Sequence, residues 1–171
     1  MKKISRYILV VTLLAGYYSA GAQRNIAEAT IAYDMTFQTG NGAPLTGATT
    51  TVFLKGNNSR TDMVSALGKE VTIFNSKSGN AVIIKEFSGQ KLMITLTKDN
   101  WKTKNKMYTD VKFELTDEYK IIGTYKTRKA IAKMPDGKSF EVYYAPDLVP
   151  SNKDYDATFT NLPGLAIEYE I

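Results

Sequence analysis

The stretch Ala29-Thr30-Ile31-Ala32-Tyr33-Asp34-Met35-Thr36-Phe37-Gln38 puts Ala29, Ile31, Tyr33, Met35 and Phe37 at every second position. Successive side chains of an extended chain point to opposite sides, so this spacing gives a strand with one apolar face. A helix would need its apolar residues three or four apart. The next residues, Gly40-Asn41-Gly42-Ala43-Pro44, supply the dihedrals of a reversal and read as a loop.

The same rhythm continues toward the C-terminus. Short β-branched or aromatic runs stand at Thr49–Lys55, Ser59–Val64, Val71–Asn75, Ala81–Phe87 and Leu92–Thr97. The gaps between them hold turn residues such as Gly56-Asn57-Asn58 and Ser88-Gly89-Gln90. Strands repeating at intervals of roughly ten residues with turn chemistry in each gap make an antiparallel meander. The second half adds strands at Val111–Leu115, Ile121–Met134 with Gly123 as a kink or bulge, and Ser139–Tyr144 after the turn Pro135-Asp136-Gly137. Trp101–Met107 could form a turn of helix. Ala145–Asp156, with two prolines, suits a short helix or an irregular crossing. Leu165, Ile167, Tyr169 and Ile171 alternate again. An unprotected strand there would invite aggregation, so it is expected either to pair inside the sheet or to be continued in the natural protein.

Toward the N-terminus, Lys2, Lys3 and Arg6 precede the apolar Tyr7–Leu14, and Ala20-Gly21-Ala22 has the small-residue form of a cleavage site before Gln23. These are the zones of an export signal, and the apolar run is too short to span a bilayer. Residues 1–22 are therefore expected to be removed and 23–171 to form one domain, exported, and periplasmic if the source is Gram-negative. With no cysteine the chain cannot be lipidated there.

Charge and composition narrow the function. Of 22 basic residues, three lie in the leader, so 19 stand against 17 acids in the rest, and the apparent pI of 9.2 overstates its basicity. The chain holds no histidine and no cysteine. Thiol and imidazole nucleophiles, Ser-His-Asp triads and the usual zinc sites are thereby excluded. Carboxylate, lysine, tyrosine and serine chemistry remain. Asp117-Glu118 beside Glu114 is the closest approach to a catalytic carboxylate pair, but it reads as a solvated turn between Lys112 and Lys120. The lysines and aromatics of Lys98–Tyr108 combine charge with stacking rings, as single-strand binders do. Export argues against nucleic acid, leaving an exposed loop anchored by Trp101, or lysines that meet anionic headgroups. No phosphate-binding glycine motif, metal cluster or cofactor signature is present.

Large apolar strand residues are the more suggestive feature. Tyr33, Met35, Phe37, Phe53, Phe74, Leu92, Ile94, Phe113, Tyr125, Phe140 and Tyr144 have few helices to cover them. A sheet's apolar face needs a second sheet, a helix or a ligand. Two readings stay open: a sandwich or closed barrel with a self-filled core, or a curved sheet around an apolar cavity.

Three segments of the second half carry a resemblance. They are Glu118–Ala130, then Pro135-Asp136-Gly137 with Glu141–Leu148, then Leu162-Pro163-Gly164-Leu165-Ala166-Ile167-Glu168-Tyr169. In this order they resemble an uncharacterised family of exported bacterial proteins, a domain of unknown function close to the GLPGLI family. Asn161 stands where the name motif has its first glycine, Ala166 where it has isoleucine, and Thr127 where related sequences often have cysteine. The resemblance implies the half-barrel of the lipoprotein localisation factors (LolA/LolB-like): one strongly curved antiparallel sheet with one or two short helices. It implies a non-catalytic protein holding a lipid, acyl chain or lipoprotein. The cavity residues would be Tyr33, Met35, Phe37, Phe53, Phe74, Ile94, Phe113, Tyr125, Phe140 and Tyr144. Leu162-Pro163-Gly164 reads independently as a tight turn feeding the Leu165 strand, with proline fixing one dihedral and glycine freeing the next. The rival reading is an interaction module of the cell envelope whose strand edge docks on a partner protein.

Overall fold

The structure is a computed structural model that describes residues 23–38 and 44–170. The expected leader and the Gly40–Ala43 part of the first loop lie outside the described residues.

The described chain is mainly β. In order it forms β1 (Arg24–Ile26), β2 (Glu28–Gln38), β3 (Pro44–Lys55), β4 (Asn58–Ser65), β5 (Gly68–Asn75), β6 (Ala81–Phe87) and β7 (Gln90–Leu96). There follow the helix α1 (Lys98–Lys104), a 3-10 turn at Lys106–Tyr108, then β8 (Lys112–Ile122), β9 (Tyr125–Lys133), β10 (Ser139–Ala145) and β11 (Leu148–Pro150). Two more 3-10 turns, Lys153–Tyr155 and Ala157–Phe159, lead to β12 (Leu165–Tyr169). No helix of the described residues is long and apolar enough to cross a membrane.

Strands β2 to β7 make an antiparallel meander in chain order, so the periodicity of the first half gives the correct topology. The strands do not continue as one sheet. After β7 the Thr97 hydroxyl accepts the Asn100 amide at 3.4 Å and starts α1, which turns the chain away before β8 can pair. A second antiparallel sheet, in the order β12-β10-β9-β8, is built from the remaining strands, and β1 pairs in parallel with β11. Neither large sheet closes on itself.

Two further expectations are corrected. Gly123, read as a kink within one strand, has φ +58 and forms the turn that splits Ile121–Met134 between β8 and β9. A left-handed dihedral is open to glycine without strain and reverses the chain in two residues. Asp117-Glu118, read as a turn between strands, lies inside β8. The register shift between Leu115 and Tyr119 absorbs these residues as an irregularity in the β8–β9 ladder.

Parity assigns the faces of the larger sheet. Ile31, Val52, Thr61, Thr72, Ile83 and Ile94 lie in one cross-strand row, flanked by the row of Leu54, Ser59, Phe74 and Ala81. Val52, Leu54, Phe74, Ala81 and Ile83 are buried, so this is the inner face. On the smaller sheet the inner face carries Ala130, Ala132, Phe140, Val142, Tyr144 and Ala166, packed with Val111, Phe159 and Leu162. Burying a side chain the size of Val, Leu or Phe contributes about 1.5–3 kcal/mol, so Val111, Phe140, Val142, Phe159 and Leu162 make this cluster the stable centre of the second half. The opposite face of the smaller sheet is charged: Lys129 bridges Glu118 and Glu141, and Lys120 reaches Glu168 at 2.6 Å.

Candidate functional site

The site is a groove of about 570 Å³ where the outer strand of one sheet meets the outer strand of the other. One wall is β2, from Ala32 to Phe37; the other is β12, from Ile167 with the residues after it to Glu170, and Ile122 at the end of β8 adds a side chain. Consecutive strand residues point alternately to opposite faces. A wall lined by six successive residues is therefore the edge of the strand, and both walls are edges of this kind. Each presents backbone groups that no neighbouring strand of the described residues pairs.

One hydroxyl ties the walls together. Tyr33 lies on the inner face of β2, and its Oη donates to the Ala166 carbonyl at 2.8 Å. Tyr155, in the 3-10 turn, stands close to the Tyr33 phenol. The Tyr33 and Tyr169 rings meet edge to face at 6.1 Å, and Tyr169 meets Phe159 the same way at 4.8 Å. Asp156 stands beside this aromatic group and accepts the Thr158 amide at 2.9 Å. Burial holds the Asp156 carboxyl above the usual carboxylate range, against the pull of the Thr158 amide. Burial also raises the phenols of Tyr33 and Tyr155, and Tyr169 is pushed up to about 12 by burial and by Asp156. The phenols are neutral at pH 7 and act as hydrogen-bonding groups at the junction.

Sequence reasoning placed the site residues in one cavity; the structure distributes them. Tyr33, Met35 and Phe37 line the groove. Phe140 and Tyr144 fill the closed core of the smaller sheet, with Phe113 packed against it. Phe74 and Ile94 lie on the inner face of the larger sheet, Phe74 in a second pocket against Trp101. Phe53 pairs with Thr30 and Arg60 and so sits on the outer face, 40 % exposed. Tyr125, at the β8–β9 turn, is exposed. Leu162 and Leu165 are buried. Gly164 acts through space and not through its dihedral: its φ is outside the left-handed region, and a β-carbon there would stand 2.2 Å from the Ala145 carbonyl oxygen.

Tyr155, Asp156, Ile122 and the inward contacts of Tyr169 were not read from the sequence. Tyr155-Asp156 falls in Ala145–Asp156, which the sequence reads as a short helix or an irregular crossing, and no periodicity shows which way such a segment points. The acids considered for catalysis are engaged by basic or hydroxyl groups: Glu114 by Lys133, Asp117 by Arg128, and Glu118 by Lys129 and the Tyr143 hydroxyl. The Tyr143 hydrogen bond holds Glu118 below the usual carboxylate range, opposite to what a general acid needs. Among the described residues no three acids cluster as a metal site.

Fold and site together define a two-sheet antiparallel β protein with an open groove between strand edges. Compared with protein-family models, with curated proteins and with solved structures, the chain finds no match in any of the three.

Proposed function

We propose that this chain is an exported, non-catalytic binding protein that holds an apolar or amphipathic ligand, such as a lipid, an acyl chain or a lipoprotein, in the groove between β2 and β12. The observation that carries the reading is the groove itself: about 570 Å³, open to solvent, with Tyr33, Met35, Phe37, Ile122, Ile167 and Tyr169 as the apolar part of a lining that also holds carboxylates. That volume falls within the roughly 300–1,000 Å³ of small-molecule sites. In this reading the two sheets are the sides of a half-barrel, as the resemblance of the second half to GLPGLI-like proteins suggests. An acyl chain burying on the order of 200 Å² gains about 5 kcal/mol at roughly 25 cal/mol per Å², before the costs of association. Asp34, Glu168 and Glu170 in the lining favour a ligand whose polar end is neutral or cationic.

The test is native mass spectrometry and solvent extraction of the purified protein, followed by displacement of a fluorescent monoacylglycerol analogue with monoolein, whose polar end is neutral. Saturable displacement that weakens at least about ten-fold in Ile167→Asp supports the reading. No co-purifying lipid and no displacement would overturn it.

A second reading rests on the edge geometry. Two facing edges with unpaired backbone groups can take an extended segment of a partner envelope protein as an added strand. New slow-exchanging amides in β2 and β12 on peptide addition, without lipid binding, would favour this reading over the first.

A further inference from the structure

A second concavity, of about 220 Å³, opens where α1 leans on the larger sheet, and it shares no lining residue with the groove. Its aromatic side is Phe74 of β5, buried, stacked on Trp101 of α1 with ring centroids 5.0 Å apart and planes 20° from parallel. Lys98 and Lys102 line the same pocket. They stand four residues apart on α1 and therefore on one face of the helix. A single carboxylate, Asp154, completes the charged lining.

Lys98 is held in place by the β5–β6 turn. Gly79, with φ +75, lies under its stem, and a β-carbon there would stand 2.6 Å from Lys98 Cγ and 3.0 Å from Lys98 Cβ. The methylenes of Lys98 thus rest on a surface that only glycine leaves free. This restricts the rotamers that a surface lysine otherwise loses on binding. Among the described residues neither Lys98 nor Lys102 closes an ion pair with a carboxylate. Two aromatic residues, two lysines without an ion pair among the described residues and one acid thus line this space, a net charge of +1.

We propose that this pocket binds a small aromatic monoanion of the aryl-carboxylate class, its ring against Phe74 and Trp101 and its acid group held by Lys98 and Lys102. The aromatic pair supplies the apolar contact and the lysines select for charge. The volume lies below the roughly 300 Å³ at which drug-sized sites begin, so it admits one ring and an acid and excludes a long acyl chain. The site is independent of the groove, and its test does not depend on what the groove binds.

Trp101 is the only tryptophan of the chain, so its fluorescence reports this pocket directly. The probes are phenylacetate and phenylacetamide, which share a shape and differ in charge. Phenylacetate is expected to change Trp101 emission saturably, with a dissociation constant at least about five-fold below that of the amide. In Lys98→Gln/Lys102→Gln the two probes should bind alike, whereas Lys77→Gln, on the neighbouring turn outside the pocket lining, should keep the preference. Added salt at about 0.5 M should erode the preference in the unaltered chain, which tests the charge term even if the double variant fails to fold. Equal affinities in the unaltered chain, a preference that survives in the double variant or in salt, its loss in Lys77→Gln, or the absence of any saturable change would overturn the assignment.

Discussion

At Tyr33 one hydroxyl joins two sheets, and the neighbours that make this possible are far away in the chain. The alternation of β2 shows that Tyr33 points inward. It cannot show that the Ala166 carbonyl lies 2.8 Å from its oxygen, because that contact spans 133 positions. Tyr33→Phe should keep the fold and lower stability by about 1–2 kcal/mol, the cost of leaving the Ala166 carbonyl without its partner. Equilibrium urea unfolding followed by circular dichroism checks this. Gly164 teaches a related lesson. The Leu162-Pro163-Gly164 turn is legible as a turn, but its glycine is required by the Ala145 backbone passing over it. Gly164→Ala should therefore cost about 1–3 kcal/mol through overpacking, seen as a lowered melting temperature, although an alanine suits its dihedral.

At the scale of the element, strand parity decides which aromatic residues matter. Phe53 and Phe74 look alike in sequence, each within an apolar run, and the strand pattern alone sends both to one cavity. The ladder separates them: Phe74 shares a row with buried Leu54 and Ala81, while Phe53 shares one with Arg60. Phe74→Ala should cost about 3–5 kcal/mol by removing a 94 % buried ring and the support of Trp101, whereas Phe53→Ala should cost less than about 1 kcal/mol. A matched pair of urea titrations distinguishes them, and equal losses would contradict the assigned faces. The bulge in β8 was missed for a physical reason: Asp117-Glu118 has turn-like polarity, and only pairing with β9 on both sides of it holds the segment extended.

At the scale of the whole molecule, the junction between the sheets concentrates groups that dislike ionising there, which ties stability to pH. Tyr169 is shifted from 10.0 to about 12 by burial. Below pH 10 folded and unfolded chains both keep this proton, so it confers no pH dependence. Between about 10 and 12 the unfolded chain loses the proton while the folded chain retains it, and stability falls as pH rises. Tyr33 and Tyr155, raised in the same direction, steepen the fall. Tyr169→Phe should flatten the loss of stability measured by urea unfolding between pH 9 and 11. Asp156 follows the same sign at lower pH. Its folded value is raised from 3.8, so its contribution is fully present below that value and is lost as pH climbs through the folded value. Asp156→Asn, which keeps an oxygen for the Thr158 amide, should gain stability relative to the unaltered chain as pH rises from 4 to 8; a constant difference would contradict the shielded carboxyl. By itself the sequence determined the β class, the antiparallel meander of the first half and the inward face of β2, because each follows from a period of two and from turn residues acting over a few positions. Only the tertiary structure decided that the strands divide into two sheets, that β2 and β12 leave their edges opposite one another, and that Tyr33, Tyr155, Asp156 and Tyr169 gather at one junction. Those outcomes depend on where α1 and the irregular segment before β12 send the chain, and on contacts between residues more than a hundred positions apart.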